Sequence, residues 1–317
     1  MTAQVAPKAE QLKANFNAAI SQLEQAVSVV VSHVGAIRWA AGQGSLGCGA
    51  RRGIPAALAE RGDPVVAIGG SSIGGLNAAC VVSRLGAPDH GADALERLWR
   101  HDIATPSWPF VGWAWGPSEP ARRLRSWNGL LTGLLVGNGL YRPSLAGWTP
   151  WGAARRFQQP LFARDRMARL IRAHMPPYRS DGRDDVLLAL ATTDVHRGTL
   201  QLHDSDTTEL GEAHLLASTA LPGLFDPVEI DGVWHWDGDV VRDSPLPAFV
   251  QAVRRSRRAT ATEPLRLVTV ELLPRPATRL PGSSPEVMFR ALNLMQADRL
   301  HPPADPHLVH VRIVRPP

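Results

Sequence analysis

The stretch Pro64-Val65-Val66-Ala67-Ile68-Gly69-Gly70-Ser71-Ser72-Ile73-Gly74-Gly75-Leu76-Asn77-Ala78-Ala79-Cys80-Val81-Val82-Ser83-Arg84-Leu85 decides the fold. Its first part, Pro64–Gly69, is a short apolar run of strand type, and Ile73–Leu85 has the length and small-residue content of a buried helix. Between them stands Gly70-Ser71-Ser72-Ile73-Gly74, a G-x-S-x-G motif. A serine on a tight strand-to-helix turn has its hydroxyl lifted clear of the sheet, at the positive end of the helix. The flanking Gly70 and Gly74 permit the strained backbone and the close packing of that turn. Ser72 is therefore the candidate nucleophile. The same motif in a plain glycine-rich turn would carry no chemistry; the flanking elements give it meaning.

Upstream, a short strand around Ile37–Ala41 leads into Gly42-Gln43-Gly44-Ser45-Leu46-Gly47, and a helix follows over Ile54–Glu60. The loop lacks the Lys of a phosphate-binding G-x-x-x-x-G-K-[ST] and the spacing of a dinucleotide fingerprint. Its free amides can converge on one oxygen. Residues 1–33 show Leu12, Phe16, Ala19 and Leu23 at helical spacing, an N-terminal helical extension ending by residue 35. Downstream, Asp185–Ala191 and Thr199–His203 read as neighbouring strands. Asp231-Gly232 between Val228–Ile230 and Val233–Trp236 is a hairpin signal. Leu265–Leu273 is a strand, Pro285–Ala297 a helix and Leu308–Val314 a last strand. The order strand, loop, helix, strand, turn, helix implies an α/β fold with a largely parallel central sheet. Seven of the ten tryptophans fall in residues 88–180, a Trp- and Pro-rich stretch that reads as a helical and loop insertion or cap. A single domain over residues 1–317 is the simplest organisation.

Composition narrows the function classes. At 317 residues with 44% hydrophobic and 20% charged residues, the chain is globular. Its two cysteines, Cys48 and Cys80, make neither a disulfide framework nor a zinc site. No acidic run has the form of a calcium loop, so neither metal nor cofactor is expected. Lys8 and Lys13 are the only lysines among 34 basic residues, and the net charge is +5. This arginine bias is compatible with anionic partners and names none. Arg254-Arg255-Ser256-Arg257-Arg258 reads as a solvated helix end. Neither a nucleic-acid-binding module nor an aromatic–basic platform is present, so nucleic acid is not an expected partner. No apolar run reaches the roughly 18 residues of a membrane-spanning helix. The first residues, with Lys8, Glu10 and Lys13 interleaved, lack the form of a secretory leader, which reads as cytoplasmic.

A serine nucleophile needs a base and an oxyanion hole. In α/β-hydrolase order the base would be a late histidine, His301, His307 or His310. A second arrangement is a Ser–Asp dyad without histidine. Here Ala217-Ser218-Thr219-Ala220-Leu221-Pro222-Gly223-Leu224-Phe225-Asp226-Pro227-Val228, the hairpin, Asp237-Gly238-Asp239 and Asp243-Ser244-Pro245-Leu246 are decisive. They resemble the second signature of the patatin-like phospholipases: P-G-x-F-x-P-V, then D-G-G or D-G-A, then N-T-P-L. Gly42–Gly47 resembles that family's G-G-G-x-R-G loop, Gly53–Gly62 its G-V-L-x-A-L-x-E-x-G helix, and Gly70–Ala78 its G-T-S-x-G-A-L-N-A elbow. The similarity covers residues 36–86 and 185–250.

The resemblance implies a three-layer α/β/α sandwich and a serine acyl hydrolase acting on lipid or lipid-like esters through an acyl-enzyme. It implies Ser72 as nucleophile and Asp237 as base, with Gly238 supporting the turn. The oxyanion amides would come from Gly42, Gly44, Ser45, Leu46 and Gly47. Three departures stand out: Gln43 for the middle glycine of the loop, Asp239 for the small residue after Gly238, and Asp243 for asparagine. Trp108, Trp113 and Trp115 are expected to line the acyl pocket or touch a lipid interface, which with the positive charge suggests peripheral membrane contact. Two other readings stay open: an acyltransferase to a non-water acceptor, and a non-catalytic lipid- or partner-binding relative. Nothing in the sequence sets the oligomeric state.

Overall fold

The computed structural model describes residues 31–32, 35–36, 65–87, 91–103, 135, 137, 139–150, 155, 157, 159–182, 185–256, 264–271, 280–282, 287, 290–291, 294 and 300–314. The expected helix over residues 1–30, the Gly42–Gly47 loop, the Ile54–Glu60 helix and Trp108, Trp113 and Trp115 lie outside these residues.

In chain order the elements are β1 (Val31–Ser32), β2 (Gly35–Ala36), β3 (Ala67–Ser72), α1 (Ile73–Val82) and α2 (Ala92–Arg97), the last continuing as a π-helical turn over Leu98–Ile103. Then come β4 (Arg142–Pro143), β5 (Phe162–Ala163), α3 (Asp165–His174), β6 (Leu187–Asp194), β7 (Thr199–Asp204) and α4 (Glu212–Ser218). The chain continues with β8 (Val228–Ile230), β9 (Val233–Asp237), α5 (Leu246–Arg255), β10 (Leu265–Glu271) and β11 (Leu308–Val314).

The α/β class holds, but among the described residues the strands form a mixed six-stranded sheet of β1, β3, β6, β7, β8 and β9, a mixed three-stranded sheet of β2, β10 and β11, and the β4–β5 pair. β3 runs parallel to β6, and β10 parallel to β11. β1 on β3, β2 on β10, β7 and β9 on β6, and β8 on β9 are all antiparallel. The expectation of a largely parallel sheet fails because short connections turn β6 into β7 and β8 into β9, and a hairpin can only pair its arms antiparallel. Asp231 and Gly232 take positive φ of 50° and 80°, the turn geometry that the Asp-Gly pair favours. Of the helix expected over residues 1–33, Val31–Ser32 is instead a strand on β3.

β6 is the axis of the molecule, buried along its whole length. Alternation along it feeds two cores. Leu188 and Leu190 join Ile68 and the buried face of α1 on one side. Leu187 and Ala189 join Ala67, Phe249, Val253, Leu265 and Leu267 on the other, under α5. Each fully buried leucine contributes about 2 kcal/mol at ~25 cal/mol per Å². α5 sits so close to β3 that a Cβ at Gly69 would lie 2.6 Å from a ring carbon of Phe249.

Part of the described 88–180 stretch belongs to the first core. Leu95, Leu98, Trp99, Ile103, Leu140, Tyr141, Phe162, Met167, Ile171 and Met175 pack with α1 and β6. The Trp99 indole donates to Asn77 Oδ1 at 2.8 Å, tying α2 to α1. Tyr141, Phe162 and Phe225 form a ring cluster, with centroids 4.8 Å apart for Tyr141 and Phe162 and 5.7 Å for Tyr141 and Phe225. These residues are therefore structural supports of the sheet, woven into its core. No helix among the described residues is long and apolar enough to cross a membrane.

A second buried cluster joins β6, β7, α4 and β9. Thr192 Oγ1 lies within hydrogen-bond distance of both rings, 2.9 Å from His203 Nε2 and 3.0 Å from His235 Nδ1. His203 stacks edge-on at 5.2 Å from both His214 and His235. Burial, with two imidazole neighbours, pushes His203 down to about 3. Burial also lowers His214 and His235, the latter opposed by Asp194. In the unfolded chain these rings take up protons near pH 6.5, but in the folded chain His203 resists down to about 3. The cluster's contribution to stability is thus complete above pH 6.5 and is lost as pH falls. By pH 5, His203 alone should cost about 2 kcal/mol. Urea midpoints at pH 7.5 and 5.0 will show the fall, and His203→Gln will flatten it. An unchanged slope in that variant would disprove the assignment.

Candidate active site

Strand β3 ends on the candidate nucleophile itself: the ladder carries on past Gly69 through Ser72. Ser72 has φ 54° and ψ −131°, and with Asp231 it is one of two non-glycine residues with positive φ among the described residues. Such a backbone costs about 1–3 kcal/mol and persists only where its surroundings enforce it. Three contacts enforce it here. A Cβ on Gly70 would meet the Gly74 carbonyl carbon at 2.2 Å and Gly75 N at 2.5 Å, so only glycine lets the strand turn this tightly into α1. Val31 pairs with Ser72 from the other edge of β3. The Ser72 amide donates to Ser218 Oγ at 3.0 Å, and Ser218 in turn donates to Ala191 O at 2.8 Å.

Ser72 stands as the N-cap of α1 yet makes no side-chain capping bond, so its hydroxyl is not spent on its own helix. The helix has no acidic residue in its first turn, and its dipole presents positive charge to that hydroxyl. Because the Ser72 amide is engaged by Ser218, it is not available as an oxyanion donor. Cys80, further along α1, is no competing nucleophile: burial pushes its thiol up to about 11.

Asp237 is the last residue of β9 and is fully buried. Its amide donates to Ala220 O at 2.9 Å, its carbonyl accepts from Thr193 Oγ1 at 2.8 Å, and its Oδ1 accepts the Asp239 amide at 2.9 Å. The register of the ladders brings the end of β9 to the end of β3. β7 occupies one edge of β6 opposite Ala189–Asp194. β3 and β9 must therefore share the other edge. β3 covers Leu187–Ala191 and β9 covers Thr192–Asp194, in opposite directions. Ser71 pairs with Ala191 and Asp237 with Thr192, so the carboxyl ends of the two strands meet head to head on consecutive residues of β6.

Gly238 sits at that junction. A Cβ there would lie 2.5 Å from Ser71 Oγ and 2.6 Å from Ala191 O. The chain leaving Asp237 thus lies directly on the strand that carries Ser72. Asp239 is 5% exposed, so the departure from a small residue places a second buried carboxylate two residues beyond Asp237, whereas Asp243 is exposed.

The late histidines are occupied elsewhere. His310 lies 2.9 Å from Thr269 Oγ1 across β10 and β11, and His301 and His307 are exposed. His235, though near Asp237 in sequence, is committed to Thr192 in the buried cluster. Of the residues expected from sequence, Ser72, Gly70, Gly74, Asp237 and Gly238 are brought together. The oxyanion candidates Gly42, Gly44, Ser45, Leu46 and Gly47 and the pocket candidates Trp108, Trp113 and Trp115 fall outside the described residues. Sequence reasoning misses Ser218. Its only signal is a serine inside the small-residue end of α4, where a hydroxyl with no water needs a backbone partner.

Among the described residues no group of three His, Cys, Asp or Glu side chains is placed to hold a metal ion. A search of curated proteins finds no match to this chain. The family model for Patatin-like phospholipase matches residues 31–250, well over half of the 317 residues and spanning β1 through the body of α5. Strand, elbow, helix and the Asp237-Gly238 turn all fall inside that match, and the chain belongs to the patatin-like phospholipase family.

Proposed function

We propose that the protein is a serine acyl hydrolase that cleaves carboxylic esters of lipids or lipid-like molecules through Ser72 and Asp237. Family membership supports an acyl hydrolase acting on lipid esters. The observation that carries the reading is the head-to-head meeting of β3 and β9 on Ala191 and Thr192, with a strained serine at the end of one strand and a buried carboxylate at the end of the other.

In this mechanism Ser72 Oγ attacks the ester carbonyl carbon while its proton passes to Asp237. The carbonyl π electrons move onto oxygen, and amides of the Gly42–Gly47 loop stabilise that oxyanion. The intermediate collapses to an acyl-Ser72 ester, and the leaving alkoxide takes the proton back from Asp237. Water, activated by the same carboxylate, then releases the acid and restores the serine. A carboxylate has a reference pKa near 3.9 and is a weak base beside an imidazole. It serves only in direct contact with the hydroxyl, in a site mostly closed to water, as the complete burial of Asp237 supports. Trp108, Trp113 and Trp115 are the proposed lining of the acyl pocket, and peripheral contact with a lipid surface would deliver the substrate.

Intact-mass labelling with a fluorophosphonate tests this. One adduct is expected on the wild-type protein and none on Ser72→Ala. Labelling that persists in Ser72→Ala would place the reactive group elsewhere, and a folded wild type that takes no adduct would refute an activated serine.

A further inference from the structure

Arg164 is a cation with almost no contact with water: it is 6% exposed, just before α3, between β5 and the loop after α4. One terminal nitrogen donates to Leu216 O at 2.5 Å and lies 3.3 Å from Thr219 Oγ1. The other donates to Asp226 O at 2.6 Å, and the guanidinium rides 5.2 Å over the Phe225 ring. Its fork therefore clamps both ends of the loop from Thr219 to Asp226. Inside that loop, Ala220 O holds the Asp237 amide.

We propose that Arg164 is a positioning residue for Asp237, clamping the loop that holds its backbone and supplying the buried positive charge that keeps its carboxylate ionised. The inference rests on the reading of Asp237 as the base. Its one ion-pair partner among the described residues, the Asp226 carboxylate, is 3.8 Å away on a side chain that is 55% exposed, so water screens that pairing. Burial lowers the guanidinium to about 10, and the Asp226 and Asp237 carboxylates hold it up. An interaction between two charges has one energy, so the charge that helps Arg164 keep its proton helps Asp237 lose its own.

Other ionisable groups surround the pair. Asp239 lies on the turn after β9, and Asp226 on the clamped loop. His235 is on β9 itself, His203 on β7, His214 on α4 and Asp194 on β6. The three imidazoles are held toward the neutral form by burial, so they supply little positive charge at neutral pH. Asp239, Asp226 and Asp194 carry no positive charge in either protonation state. Among the described residues Arg164 is the buried cation.

The test is a carboxyl carbon-13 NMR titration of Asp237, assigned with Asp237→Asn, run beside the pH dependence of fluorophosphonate labelling at Ser72. In wild type the carboxyl is expected to be ionised at pH 6 although burial opposes it. In Arg164→Gln its midpoint is expected to rise by about one unit or more, and Arg164→Lys, which keeps charge but loses the fork, to recover most of that rise. The acid limb of labelling should move with it. A wild-type carboxyl protonated at pH 6, or a midpoint unchanged in folded Arg164→Gln, would overturn the proposal. The wild-type titration decides even where the glutamine variant does not fold. A midpoint that moves while labelling stays put would keep Arg164's role toward the carboxylate and refute Asp237 as the base.

Discussion

Asp237→Asn will lower the rate of acyl-enzyme formation by about 10³-fold or more, with a smaller loss of thermal stability because the buried Arg164 loses one of the two carboxylates that compensate its charge. The two side chains are isosteric, which matters in a fully buried position. The carboxamide oxygen of the variant can accept the Asp239 amide as Oδ1 now does at 2.9 Å, and the backbone bonds to Ala220 O and Thr193 Oγ1 do not involve the side chain. The change therefore removes the ability to take a proton and leaves the scaffold. Stopped-flow acylation with a chromogenic acyl ester, read beside a melting curve, separates the two effects. Acylation within about tenfold of wild type would mean that Asp237 is not the base. A melting temperature that collapses would mean that its charge holds the fold. The oxyanion donors and substrate contacts are untouched, so residual activity above the uncatalysed rate is expected.

Gly70→Ala should have the largest effect on folding of any single methyl addition in this region. The added carbon would sit 2.2 to 2.5 Å from three backbone atoms of Gly74 and Gly75. Backbone at the start of a helix cannot swing aside as the end of a side chain can. Overpacking costs about 1–3 kcal/mol where side chains can yield, and the upper end or beyond applies here. Relief would push α1 off β3, rotate Ser72 out of its positive-φ geometry and break the bond from its amide to Ser218. The urea midpoint and fluorophosphonate labelling should fall together. A variant with wild-type stability and labelling would show that the turn has slack, contrary to the contacts.

The elements that sequence exposes best are those whose chemistry is local. Asp231-Gly232 predicts its hairpin because few other residue pairs accept two positive φ values. Gly70 predicts the elbow because nothing larger fits the turn there, and Leu308–Val314 emerges as a strand with the bounds expected. The motif order points to Ser72 and Asp237 without any knowledge of the sheet. What sequence does not show depends on partners far along the chain. The antiparallel pairing of β9 on β6 joins strands about 40 residues apart in sequence, and no local residue pattern announces it. The 88–180 stretch reads as a helical and loop insertion or cap because its described strands, Arg142–Pro143 and Phe162–Ala163, are two residues long, too short for a period of two to be visible. Its apolar residues nevertheless complete the core on α1. Arg164 is invisible for another reason. In a chain whose basic residues are almost all arginine, one more carries no signal until its burial is known.

The head-to-head arrangement of β3 and β9 gives this site an uncommon kind of ruler. In many enzymes the distance between two reacting groups is negotiated by two loops, each free to drift. Here Asp237 and Ser71, the residue before Ser72, pair with adjacent residues of β6, Thr192 and Ala191, so the offset between the two strand ends is set by the backbone repeat of about 3.3 Å per residue. A slip of either strand that preserved its inward and outward faces would move it by two rungs and break the pairing of groups outright. The strand register has no intermediate setting: it is assembled or it is absent.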